Sequence, residues 1–107
     1  MKIVKVQYTA KADYAEKNRE NISRVMDELR GLNTPGIKYS VFVNEDGRSF
    51  VHLAIFNTEE DQKIHNGLES FKNFTTELKA NGLETPPKSE ILSLAGSSYD
   101  FFNNNNI

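Results

Sequence analysis

Cysteine is absent from the 107 residues. That excludes disulfides, thiolate metal sites and a cysteine nucleophile. Charge of one sign is lacking too: 13 Lys and Arg stand against 15 Asp and Glu, a formal net charge of −2. No basic stripe is dense enough to track a phosphate backbone, so no nucleic-acid partner is expected. No apolar run approaches the roughly 18 residues of a membrane span. Residues 1–10 alternate like a strand and lack the uniform apolar core of a secretory signal. A cytoplasmic protein with no membrane partner is the expectation. Histidine is scarce, at two residues. No Asp or Glu stands at ligand spacing with His52 or His65, so neither a metal nor another cofactor is expected. The length suits one domain, which at this size buries a modest fraction of its surface and gains from dimerisation.

What is present is a sequence of hydrophobic periods. Val4, Val6 and Tyr8 alternate with Ile3, Lys5, Gln7 and Thr9, the pattern of a strand. Asp13 followed by Glu16 predicts a capping box opening a helix. Ala15, Ile22, Val25, Met26, Leu29 and Leu32 form its apolar stripe, and Gly31 and Pro35-Gly36 are its stop signals. Residues 37–44 and 48–56 read as two strands joined by Glu45-Asp46-Gly47. A three-residue loop would set Val41 opposite Val51, Tyr39 opposite Leu53 and Ile37 opposite Ile55. This register gathers the aliphatics under the helices and leaves Lys38, Ser40, Phe42, Phe50, His52 and Ala54 on the reverse face. A two-residue loop would shift the pairing by one and scramble both faces.

Thr58, followed by Glu59, Glu60 and Asp61, marks a capped helix start. Asn66-Gly67 interrupts that helix, and a second piece carries Leu68, Phe71, Phe74 and Leu78. Pro86-Pro87 reads as a stiff connector, and residues 90–95 as a short fourth strand. The order β-α-β-β-α-β predicts an α+β, ferredoxin-like domain over residues 1–96. Its sheet would be antiparallel with strand order 4-1-3-2 and helices on one face. Residues 97–107 form a tail. Tyr99, Phe101 and Phe102 are too apolar for a free end and should dock on their own sheet or on a partner. The asparagines beyond them should be frayed.

The element order, the split second crossover and the stretch Ile64-His65-Asn66-Gly67-Leu68-Glu69-Ser70-Phe71-Lys72-Asn73-Phe74 resemble the dimeric α+β barrel superfamily. Within it, the likeness is to the antibiotic biosynthesis monooxygenase-like domains, in which a His precedes an aromatic-bearing helix. The resemblance covers residues 1–96. It implies a homodimer whose two sheets close into a barrel, with a small apolar pocket between each sheet and its helices. It also implies oxygenation of aromatic polyketides or quinols without metal or flavin, or haem degradation in some relatives. The family's catalysts use Trp, Asn, Arg or His in that pocket, and this chain has no Trp.

His65 is the catalytic candidate, as a neutral imidazole able to accept a proton near neutrality. The plainer reading packs it against Phe56 or Leu68. Tyr8, Tyr39, Phe71 and Phe74 are candidates to hold a planar ligand by stacking, and are equally what a core would use. Asn57 could bond a ligand carbonyl or belong to a turn. Phe42, Phe50 and His52 are expected at the dimer interface. Three functions follow: binding of a small apolar or aromatic molecule, cofactor-independent monooxygenation of an aromatic or quinol substrate, or a purely structural dimer. A haem protein with His65 as axial ligand is a weaker fourth.

Overall fold

The computed structural model describes residues 1–102; the asparagine run lies outside them. The elements are β1 (Lys2–Ala10), α1 (Ala15–Leu32), β2 (Ile37–Val43), β3 (Ser49–Phe56), α2 (Glu59–Asn66), α3 (Glu69–Glu77) and β4 (Leu83–Leu92). A π-helical turn, Leu78–Gly82, joins α3 to β4. The strands form one antiparallel sheet in the order β2-β3-β1-β4. That is the expected 4-1-3-2.

The expected hairpin register is off by one. Val41 pairs with His52, Tyr39 with Ala54 and Ile37 with Phe56. The loop has four residues, closed by the Asn44 N–H donating to the Ser49 carbonyl at 2.9 Å. Asp46 sets this length. Its carboxylate accepts from the Arg48 and Ser49 N–H groups, each at 2.9 Å, and from the Ser49 hydroxyl at 2.5 Å. Gly47 takes the left-handed conformation, φ 75°, which costs glycine nothing. The shift turns β3 over. Phe50, His52, Ala54 and Phe56 lie under the helices beside Val4, Val6 and Tyr8, while Val51, Leu53 and Ile55 face away. Phe50 and His52 are therefore core residues at 2% and 5% exposure, not residues of the open face. Of the three expected at an interface, only Phe42 lies there, 57% exposed.

The start of α1 also differs from expectation. Asp13 does not cap it; Tyr14 stands at the N-cap without a side-chain bond. The Tyr14 and Ala15 N–H groups instead both donate to the Lys11 carbonyl. The Tyr14 ring lies over Gly82, where a Cβ would come within 2.4 Å of it. α1 buries Asn18, Asn21 and Val25, so its inner face is partly polar. Leu32 is exposed, and Gly31 lies inside the helix. Asn33, left-handed at φ 52°, ends it.

α2 begins as expected. The Thr58 hydroxyl accepts from the Asp61 N–H, and the Asp61 carboxylate accepts from the Thr58 N–H and hydroxyl. Thr58→Ala should lower stability by about 1 kcal/mol, read as a lower urea midpoint with an unchanged slope.

β4 starts seven residues before the expected strand, so Pro86 and Pro87 sit within it. β4 is an edge strand, where a missing N–H is tolerated. The open face is partly covered by the tail: Phe102 and Phe101 pack against Ile3, Ile55 and Leu53, and the Lys38 ammonium lies 5.6 Å from the Phe102 ring centroid.

Candidate functional site

A cavity of about 290 Å³ lies between the sheet and the split second crossover. Its floor is Val4, Val6, Tyr8, Tyr39, His52 and Ala54; α2 and α3 supply His65, Phe71 and Phe74. Its lip is polar, with Gln62, Asn66, Thr75 and Lys79. The Asn66-Gly67 break makes the room. Gly67 ends α2, and extended Leu68 opens α3, so the two helices meet at an angle over the sheet.

His52 sits at the centre of the floor, and both ring nitrogens are engaged. Nε2 is 2.7 Å from the Tyr8 hydroxyl and Nδ1 2.5 Å from the Tyr39 hydroxyl. The Asn18 amide donates to the Tyr8 hydroxyl at 2.9 Å. The chain Asn18–Tyr8–His52–Tyr39 thus crosses from α1 to β2 through the interior. Burial is the main cause that pulls His52 down to about 4, with the neighbouring His65 adding to it. Burial pushes both tyrosine phenols upward. The whole chain is neutral at pH 7.

His65 lies at the end of α2, 3% exposed. Its ring meets Tyr39 edge-on at 4.8 Å and lies 4.3 Å from Phe71 and 5.3 Å from Phe56 between centroids. Nδ1 approaches the Asn66 side-chain oxygen at 3.3 Å. That oxygen only accepts, so Nδ1 carries the proton and Nε2 the lone pair. Nε2 is buried without a protein partner. Burial lowers His65 too.

Tyr8, Tyr39, His65, Phe71 and Phe74 are thus brought together. Asn57 is not; it stands outside the wall, its N–H donating to the Gly36 carbonyl. His52, expected at a dimer interface, belongs to the site instead, and Asn18 is the site residue that sequence reasoning missed. The signal for His52 was present in Asp46-Gly47-Arg48-Ser49, whose loop length decides the face of β3. Asn18 gave none, because a polar residue on a helix reads as solvent-facing. Haem does not fit: the cavity is too small for the macrocycle, and His65 Nε2 is closed off. Among the described residues no three His, Asp or Glu converge as metal ligands, and no helix is long and apolar enough to cross a membrane.

No protein-family model matches the chain, and no curated protein does so either. Solved structures match closely in shape. A protein from Bacteroides thetaiotaomicron superimposes with a TM-score of 0.77 at 11% identity, over 92% of this chain and 93% of its own. One from Nitrosomonas europaea gives 0.73 at 19%, over 92% and 100%. One from Deinococcus radiodurans gives 0.70 at 19%, over 94% and 97%. All three bear the name putative antibiotic biosynthesis monooxygenase. At such identities the likeness establishes the fold. The chain shares with these structures an α+β, ferredoxin-like fold built on one four-stranded antiparallel sheet.

Proposed function

We propose that the chain binds a small apolar or aromatic molecule in the cavity between sheet and helices. The observation that carries this reading is the cavity itself, about 290 Å³ with an aromatic wall of Tyr8, Tyr39, His65, Phe71 and Phe74. The volume lies near the lower limit of ligand sites, roughly 300 Å³, and accommodates one or two rings. A ligand held at a hundredfold excess over its Kd adds about 2.7 kcal/mol, enough to raise Tm by about 10 °C. Thermal-shift screening with 1-naphthol, quinones and flavonoids should find such a compound. Ala54→Leu, which fills the floor, should abolish the shift. No shift with any of them, at concentrations up to their solubility, leaves the purely structural reading in place.

Cofactor-independent oxygenation of an aromatic or quinol substrate is the second reading, supported by a neutral His65 among the residues that line the cavity. One physical effect weighs against it. Burial lowers the imidazole's basicity and raises a phenol's pKa, so both oppose proton transfer between them. Binding therefore stands first.

The open face suits a second copy of this chain, in the cytoplasm. Exposed Phe42, Leu92 and the Phe101–Phe102 cover form an apolar surface that a homodimer would bury. Wild-type protein should show a solution mass twice that of the chain by light scattering. Phe42→Asp should halve it and leave the circular dichroism spectrum intact. A wild-type mass equal to one chain removes the dimer.

A further inference from the structure

The hydrogen-bonded chain beneath the cavity has a direction, which follows from counting protons. The Asn18 Nδ2 group can only donate, so the Tyr8 oxygen accepts from it. Tyr8 is 5% exposed, and its own O–H has one acceptor within reach, His52 Nε2 at 2.7 Å. Were Nε2 protonated, the Tyr8 oxygen would face two donors and its own proton would be buried unpaired. Nε2 is therefore the acceptor, and neutral His52 carries its proton on Nδ1. Nδ1–H then donates to the Tyr39 oxygen at 2.5 Å. The Tyr39 proton is left over. Among the described residues the Tyr39 hydroxyl has no other partner, and Tyr39 lines the cavity.

We propose that Tyr8, acting through His52, holds Tyr39 as a hydrogen-bond donor toward the cavity, so that the site selects ligands bearing a neutral carbonyl acceptor. This rests on the ligand-binding reading above. It goes further in naming the ligand's polar group and in making Tyr8, which presents no donor to the ligand itself, a positioning residue for specificity. With the opposite direction, Tyr39 would spend its proton on His52 Nδ1 and offer a ligand only lone pairs.

Two measurements test it. The first is the tautomer of His52 in wild-type protein, read from two-bond nitrogen–proton couplings of ¹⁵N-labelled imidazole. The expected form is Nδ1–H, the tautomer less populated in free histidine; Nε2–H overturns the proposal. The second is the ratio of Kd values for 1-tetralone, a bicyclic ketone, and tetralin, its hydrocarbon counterpart. The preference for the ketone should fall about tenfold in Tyr39→Phe, the worth of one hydrogen bond. It should fall several-fold in Tyr8→Phe, where Nε2 is no longer pinned as acceptor and the tautomer population moves toward Nε2–H. A Tyr8→Phe variant with unchanged preference and unchanged tautomer overturns the coupling. If wild-type protein binds neither bicycle, the ligand reading fails, and the tautomer alone decides the direction of the chain: Nδ1–H upholds it, Nε2–H refutes it.

Discussion

Replacing Phe50 with aspartate should unfold the protein, not merely divide a dimer. Phe50 is 2% exposed and stacks on Tyr8 at 5.7 Å between ring centroids, within the cluster that includes Val25, Phe74 and Leu78. Loss of a buried phenylalanine side chain costs about 3–5 kcal/mol. A carboxylate left unpaired in the same place adds several more. A domain of this kind holds roughly 5–15 kcal/mol in total, so the two losses together consume most or all of it. Far-UV circular dichroism at 25 °C should show a largely unfolded chain. The contrast is Phe42→Asp, on the open face, which should keep the native spectrum. A folded, monomeric Phe50→Asp protein would mean that Phe50 lies at a subunit surface after all, and that the hairpin register described above is wrong.

Acid should destabilise the protein well before its carboxylates protonate. His52 falls from 6.5 to about 4 on folding, chiefly through burial. The folded state therefore favours the neutral ring, and the unfolded chain takes up the proton first. The contribution is complete above pH 6.5 and is lost progressively as the pH falls to about 4. At about 1.4 kcal/mol per pH unit this amounts to about 3 kcal/mol. His65, also lowered by burial, acts in the same direction. Asp46, held down to about 2 by its bonds to Ser49 and Arg48, responds only at lower pH, below its usual 3.8. Urea unfolding at pH 7, 5.5 and 4 should trace the loss. His52→Gln should be less stable at pH 7, because it breaks two tyrosine bonds, and flatter between pH 6.5 and 4. Parallel curves for wild type and variant would show that His52 does not titrate with unfolding.

The two errors about Phe50 and His52 have one origin. In Phe50-Val51-His52-Leu53-Ala54-Ile55-Phe56 both alternating sets are apolar, so period-2 patterning cannot tell inside from outside. Sorting aliphatics from aromatics gave the wrong answer, because the aromatic set fills the space under the helices and the aliphatic set is covered by Phe101 and Phe102. The Thr58 cap and the Asn66-Gly67 break were legible because each depends on neighbouring residues, and the strand order because it follows from the order of the elements and the hand of their crossovers. The site's polar chain was not. Tyr8 and His52 lie 44 positions apart, and Tyr39 and His52 13, so no local pattern records them. His65 and the aromatics around it were found because helical spacing and a glycine break brought them together in the sequence itself.

The two-sided character of β3 also bears on how the chain finds its native state. A hairpin slipped by one residue would still bury an apolar row, so it is a competing minimum of nearly native appearance, a local frustration in an otherwise consistent landscape. Three bonds from one carboxylate, Asp46, penalise that slip at the loop itself. An acidic residue in the β2–β3 loop, outside the cavity wall, thus guards its composition: with the slip, His52 and Phe50 would leave the interior, and the pocket would lose its floor before it formed.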